Sequence, residues 1–292
     1  MRVTQSMLSN SMLTNLSNSY KNLGTYMDQL TTGKKINRPS DDPVVAVKGM
    51  DYRSQVLQVE QYKRNTSEVH NWMDNTDDAL DQATKALQRI RELTVQASND
   101  TYDETERKNI KEEIEQLKQH LVDIANTKVN DRYIFNGTQT DTPPITDPDN
   151  ITGFNQSPVN IEVSSGIQIQ ANVNAENIFG PSSNLFNNID DLLGALDSDD
   201  QSAIQASIDA IDGNINNVLN ARADLGARMN RLDLIENRLD SQEISATDMM
   251  SKNEDIDYEK VITQLITQES IHRAALSAGS RIIQPTLLDF LR

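Results

Sequence analysis

Near the start of the chain, Leu13, Leu16, Tyr20, Leu23, Met27 and Leu30 follow one another at alternating intervals of three and four residues. That alternation is the seam of a coiled coil, a stripe too narrow to face a globular core. A second apolar series closes the sequence: Ile256, Val261, Ile262, Leu265, Ile266, Ile271, Ala275, Ile282, Leu287, Leu288 and Leu291. A seam at each end means that the two termini pack against each other or against further copies of the chain. The pattern points to assembly rather than to catalysis.

Composition supports a thin helical body. Hydrophobic content is 36% and aromatic content 4% over 292 residues, which suits a high ratio of surface to volume. With no cysteine in the sequence, disulfides and thiolate metal sites are excluded. No apolar run approaches the roughly 20 residues needed to span a bilayer, so membrane insertion is not expected. The opening Met1-Arg2-Val3-Thr4-Gln5-Ser6 lacks the apolar segment of a secretory signal, which fits a cytosolic protein or one exported by a signal-free route. The net charge of −17 is uneven: Asp141 to Asn220 holds twelve acidic residues and no Lys or Arg. Such a region repels phosphate, so no nucleic-acid partner is expected.

The first helix is expected from about Thr4 to Thr32, ended by Gly33. After a polar connector, Asp42 is a good N-cap and Pro43 fits the first helical position of a long second helix. Within it Val69, Met73, Thr76, Leu80, Ala83, Leu87, Ile90, Thr94 and Ala97 keep the three-four spacing. Asn99-Asp100 breaks the pattern, and Thr101-Tyr102-Asp103-Glu104 reads as a capping box. Ile110, Ile114, Leu117, Leu121 and Ile124 then carry a third helix to about Asn130. Tyr133-Ile134-Phe135 reads as a strand ending in a hairpin-type turn at Asn136-Gly137. Val159–Val163 and Ile167–Val173 alternate as half-buried strands do. A short helix over Leu185–Leu196, a capping box at Ser198-Asp199-Asp200-Gln201 and a long stripe from Ile204 to Leu239 follow, with Arg222 interrupting that seam. The expected fold is therefore mainly α with a small β insert (α+β). Long folded-back helices form an elongated, coiled-coil-like bundle, with the terminal helices together at one end and the β subdomain at the other. The expected domains are 1–42 with 255–292, 43–135 with 181–254, and the insert 136–180.

Three segments resemble the flagellin family: Gln29-Leu30-Thr31-Thr32-Gly33-Lys34-Lys35-Ile36-Asn37-Arg38-Pro39-Ser40-Asp41-Asp42-Pro43, Ala221-Arg222-Ala223-Asp224-Leu225-Gly226-Ala227-Arg228-Met229-Asn230-Arg231-Leu232, and the terminal Gln284–Arg292. They stand in the family's order and cover both ends of the chain. Within that family, Pro39-Ser40-Asp41-Asp42-Pro43 is more similar to the adaptor branch, which joins filament to hook, than to the filament subunit. The resemblance implies passage through the flagellar type III export apparatus with an export chaperone. It also implies terminal segments that order only on assembly into a homo-oligomeric ring, with a neighbouring hook-associated protein on the hook side and flagellin on the filament side. An isolated seam buries too little to offset its ordering entropy, which agrees with that implication. The expected assembly residues are Leu13, Leu16, Tyr20, Leu23, Met27, Leu30, Ile262, Leu265, Ile266, Leu287, Leu288 and Leu291. Arg38, Asp41 and Asp42 are expected either to cap and solvate the bend or to make charged contacts between subunits.

Signals for chemistry are weak. His70, His120 and His272 are far apart, with no carboxylate or cysteine at ligand spacing. The segment from Asp147 to Gly153 has Thr152 where a calcium loop needs glycine, and reads as a turn. There is no phosphate-binding glycine loop and no nucleophile motif, so no catalytic role, cofactor or metal is expected. A filament subunit, or a secreted coiled-coil module binding through its insert, are the competing readings.

Overall fold

The computed structural model describes residues 5–99, 104–147, 151 and 153–283. Leu287, Leu288 and Leu291, the third resembling segment and the cap expected at Thr101 lie outside them. Among the described residues there are six α-helices: α1 (Gln5–Thr32), α2 (Pro43–Ala97), α3 (Glu104–Ala125), α4 (Leu185–Ser198), α5 (Gln201–Glu254) and α6 (Tyr258–Ile283). Two antiparallel strand pairs lie between α3 and α4 in sequence: β1 (Lys128–Val129) with β2 (Arg132–Tyr133), and β3 (Asn160–Ser164) with β4 (Ile167–Gln170). Among the described residues no helix is long and apolar enough to cross a membrane. The chain divides into two compact units, one from Met1–Gln58 with Gln242–Arg292 and the other Val59–Ser241.

The second unit is built around the α2 stripe. All nine residues of the expected series, Val69 through Ala97, have no solvent exposure. The threonines in it are tolerated because Thr76 and Thr94 donate their hydroxyls to the carbonyls of Trp72 and Ile90, 2.8 and 2.7 Å away. Ile114 and Leu121 of α3, Ile189 and Leu192 of α4, and Ile211, Val218, Leu225 and Leu232 of α5 complete the core. Arg222 interrupts the α5 stripe for a reason the sequence hid: it grips α2. Its Nε and Nη2 donate to the two Asp77 oxygens (2.9 and 3.0 Å) and its Nη1 to Asp81 (2.8 Å). Arg222→Ala leaves Asp77 without its counter-charge and Asp81, one helical turn on, with Lys85 alone. A loss of about 2 kcal/mol in urea unfolding is expected, below the full value for a buried pair because the site is partly solvated.

Between α3 and α5 the structure departs from expectation at four points. Helix α3 stops at Ala125, not near Asn130, because Asn130 and Asp131 take positive φ (50° and 62°) and form the turn between β1 and β2. This is the geometry of a two-residue hairpin turn, and Asn and Asp tolerate it. Accordingly Tyr133 belongs to β2, whereas Ile134 and Phe135 bend inward and are both fully buried, so they do not alternate as a strand would. Asn136-Gly137 is still a turn (Gly137 φ +52°), but it closes against the backbone instead of joining strands. A Cβ at Gly137 would lie 2.5 Å from the Asn155 carbonyl oxygen. The cap of α5 is Asp200, not Ser198: its Oδ1 accepts from the amides of Ser202 and Ala203. Phe135 packs edge-on against Phe179, centroids 5.3 Å apart, and joins the insert to the helical core.

Glu176 locks the end of the insert. Its carboxylate accepts from the Phe154 amide (2.9 Å), the Ser182 hydroxyl (2.9 Å) and the Ser182 amide (3.3 Å). Burial pushes its pKa up, but the three hydrogen bonds together outweigh that and hold it below the ordinary 4.5. A pKa lower in the folded than in the unfolded chain gives stability that is present above the unfolded value and is lost as pH falls through the folded one. Glu176→Gln is therefore expected to lower stability at pH 7 and to flatten the acid side of the stability profile, read by urea unfolding across pH 3 to 7.

Candidate assembly surface

In the first unit, α1 and α6 run side by side. Partly or fully buried residues recur at Met12, Leu16, Ser19, Leu23, Tyr26 and Leu30 on α1, and at Val261, Leu265, Gln268, His272, Ala275 and Gly279 on α6. Both series alternate four and three, so each is a true seam. A hydrogen bond crosses it, from Gln268 Nε2 to Ser19 Oγ at 2.9 Å, and the Tyr20 and His272 rings lie 6.0 Å apart. A Cβ at Gly279 would meet Met12 at 2.8 Å, so the glycine permits close approach there.

The expected α1 series is thus divided. Leu16, Leu23 and Leu30 belong to the seam within the chain, whereas Leu13, Tyr20 and Met27 are exposed by 54, 69 and 56%. On α6, Leu265 lies in the seam, and Ile262 and Ile266 are exposed by 45 and 58%. Leu13, Tyr20 and Met27 stand seven residues apart, which places them in one row along α1.

This exposure distinguishes the two units. Among the described residues, all the exposed large hydrophobics except Val95, Leu219 and Leu234 belong to the first unit. Of the buried hydrophobics among the described residues, that unit holds Ala246, Ile256 and Val261 and no others. Its apolar residues are therefore spread over its surface, the reverse of a soluble core, and monomeric proteins rarely expose contiguous apolar patches of more than a few hundred Å².

Beside the α1–α6 seam, polar contacts hold the first unit together. Lys34 Nζ reaches Asp255 at 2.6 Å and Glu254 at 3.4 Å, and Arg53 Nη2 donates to both Glu254 oxygens at 2.8 Å. A β-bridge pairs Lys34 with Asp255, and the Lys35 amide donates to the Glu254 carbonyl at 2.7 Å. The hydrogen bond between Lys34 and Asp255 raises the lysine's pKa and lowers the carboxyl's, so both stay charged. Gly49 is needed for this arrangement, since a Cβ there would lie 2.5 Å from Glu254 Oε1. The clasp joins the connector after α1 to the break between α5 and α6. Sequence reading missed it because its partners are some two hundred residues apart.

The connector residues separate by role. Asp42 caps α2, accepting from the amides of Val44 and Val45 at 3.0 and 3.1 Å. Asp41 accepts from the amides of Asn37 and Arg38 at 3.3 and 3.0 Å. Arg38 is exposed, and its guanidinium has no ion pair among the described residues.

Two family descriptions match the chain: the bacterial flagellin N-terminal helical region over residues 3–140 and the bacterial flagellin C-terminal helical region over residues 208–291. The chain is 27% identical to flagellar hook-associated protein 3 of Escherichia coli, covering 95% of this chain and 96% of that one. It is 26% identical to a flagellin of Halalkalibacterium halodurans, covering 94% and 96%. Its fold is similar to the crystal structure of Bacillus cereus FlgL, with a TM-score of 0.61 and 25% identity, covering 69% of this chain and 99% of that one.

Proposed function

The chain belongs to the bacterial flagellin family, and we propose that within it this chain is the structural adaptor of the hook–filament junction. The observation that carries the proposal is the exposed apolar surface of the first unit, Leu13, Tyr20, Met27, Ile262 and Ile266 among it; in this reading that surface is what assembly buries. Transfer of such surface out of water, at roughly 25 cal/mol per Å², supplies the driving force. In this reading residues 1–42 with 255–292 line the inner tube of a homo-oligomeric ring. Arg38 contacts a neighbouring subunit.

The ring seats on a neighbouring hook-associated protein and presents a surface on which flagellin polymerises. The chain reaches that place through the flagellar type III export apparatus, delivered by an export chaperone. Support for the adaptor over the filament subunit comes from Pro39-Ser40-Asp41-Asp42-Pro43 and from the likeness to hook-associated protein 3. The likeness to flagellin keeps a filament role as the second reading.

A deletion strain separates the two. Loss of the adaptor leaves hooks intact while flagellin escapes unpolymerised into the medium. Loss of a filament subunit leaves hooks and no secreted flagellin. Growth of long filaments from the pure chain alone would overturn the adaptor reading.

A further inference from the structure

Along the second unit, α2 and α5 are joined antiparallel by charged pairs at equal steps on both helices. Lys63 pairs with Asp240, Asp81 with Arg222 and Arg91 with Asp212, at 2.5 to 2.8 Å. The same register sets His70 opposite Asp233, and here the pattern changes. No lysine or arginine pairs with Asp233 among the described residues, and a second carboxylate, Glu236, converges on the same imidazole nitrogen. His70 Nε2 lies 3.3 Å from Asp233 Oδ1 and 3.3 Å from Glu236 Oε2, and one ligand atom from each residue falls within 4.8 Å of the others. Both separations exceed the ordinary range for a charge-assisted hydrogen bond, and one nitrogen cannot donate fully to two carboxylates.

We propose that His70, Asp233 and Glu236 form a binding site for a divalent transition ion of the zinc class. One imidazole and two carboxylates are suitable ligands for such an ion. The two nitrogen–oxygen separations of 3.3 Å match the edge of a tetrahedral centre with bonds of roughly 2.05 Å, and the two carboxylate oxygens lie within 4.8 Å of each other. The ion's two positive charges balance two carboxylates that pair with no lysine or arginine among the described residues. The backbone beneath the ligands is already fixed: Val69 beside His70, and Leu232 and Ile235 beside the carboxylates, are 0, 0 and 6% exposed. Asp233 and Glu236 sit three apart on one face of α5, so the site needs no rearrangement of either helix. Two ligands lie 163 and 166 residues from the third, which is why no sequence spacing announced them. A bound ion would pin α2 to α5.

The test uses the full chain without an affinity tag, freed of metal by a chelator and titrated with zinc chloride by calorimetry. One equivalent of zinc per chain is expected, with a rise in the thermal midpoint that the chelator reverses. His70→Gln and Asp233→Asn should each weaken binding at least about tenfold, while His120→Gln and His272→Gln leave it unchanged. Folding of each variant is checked by circular dichroism without metal. Absence of stoichiometric binding at millimolar zinc by the unaltered chain would overturn the site, as would full binding by folded His70→Gln or Asp233→Asn, or its loss in His120→Gln or His272→Gln.

Discussion

Replacing Leu13, Tyr20 and Met27 together by serine is expected to abolish incorporation of the chain into flagella while leaving the free chain as stable as before. These side chains are 54, 69 and 56% exposed, so the fold of the isolated chain gains little from them. Surface changes of this kind usually stay within about 0.5 kcal/mol in unfolding. In an assembly each side chain is worth roughly 1.5–3 kcal/mol when buried. Losing all three removes roughly 5 kcal/mol or more from each interface, upwards of a thousandfold in association. The readouts are urea unfolding of the purified variant, and swimming with flagellin release in cells that carry it. A variant that swims normally would contradict the assignment of this row to subunit contacts. Leu16, Leu23 and Leu30 should behave differently, because they face α6 within the chain.

The opposite outcome is expected at Phe179. This ring is fully buried, packs edge-on against Phe135 at 5.3 Å and lies 6.4 Å from Phe154. Phe179→Ala removes the contact that ties the insert to the helices and leaves a cavity, at a cost of about 3–5 kcal/mol. Against a total stability of roughly 5–15 kcal/mol this is a large fraction. A fall in the thermal midpoint of roughly 10 °C follows for a unit of this size. Circular dichroism melts measure it, and an unchanged midpoint would refute the anchoring role of the ring.

These two outcomes mirror what was legible in the sequence. The α2 stripe from Val69 to Ala97 could be read residue by residue, because a buried helix face leaves a strict period. The α1 stripe had the same period and a mixed fate. Met12, Ser19 and Tyr26 complete the inner seam, which shifts that seam by a fraction of a turn and leaves Leu13, Tyr20 and Met27 outside. Periodicity alone cannot separate a face that packs within the chain from one that packs between chains. The hairpin turn was misplaced because Asn-Gly is the stronger signal, yet Asn130-Asp131 adopts the positive φ values. The Lys34–Glu254–Asp255 clasp and the convergence of Asp233 and Glu236 on His70 are long-range pairings of charged residues, and these leave no local period to find.

The division between a unit that folds by its own core and a unit whose apolar surface is completed by neighbours can be tested by thiol labelling. The chain has no cysteine, so single substitutions report without background. Tyr20→Cys and Ile266→Cys, with Leu219→Cys and Leu234→Cys as exposed controls in the second unit, are labelled with a maleimide in the purified chain and in intact flagella. All four should label readily in the free chain. In flagella, labelling at positions 20 and 266 should fall at least about tenfold, the loss expected when an exposed site becomes buried, while positions 219 and 234 retain most of theirs. Equal labelling of Tyr20→Cys and Ile266→Cys in the free chain and in flagella would contradict burial of this surface by assembly.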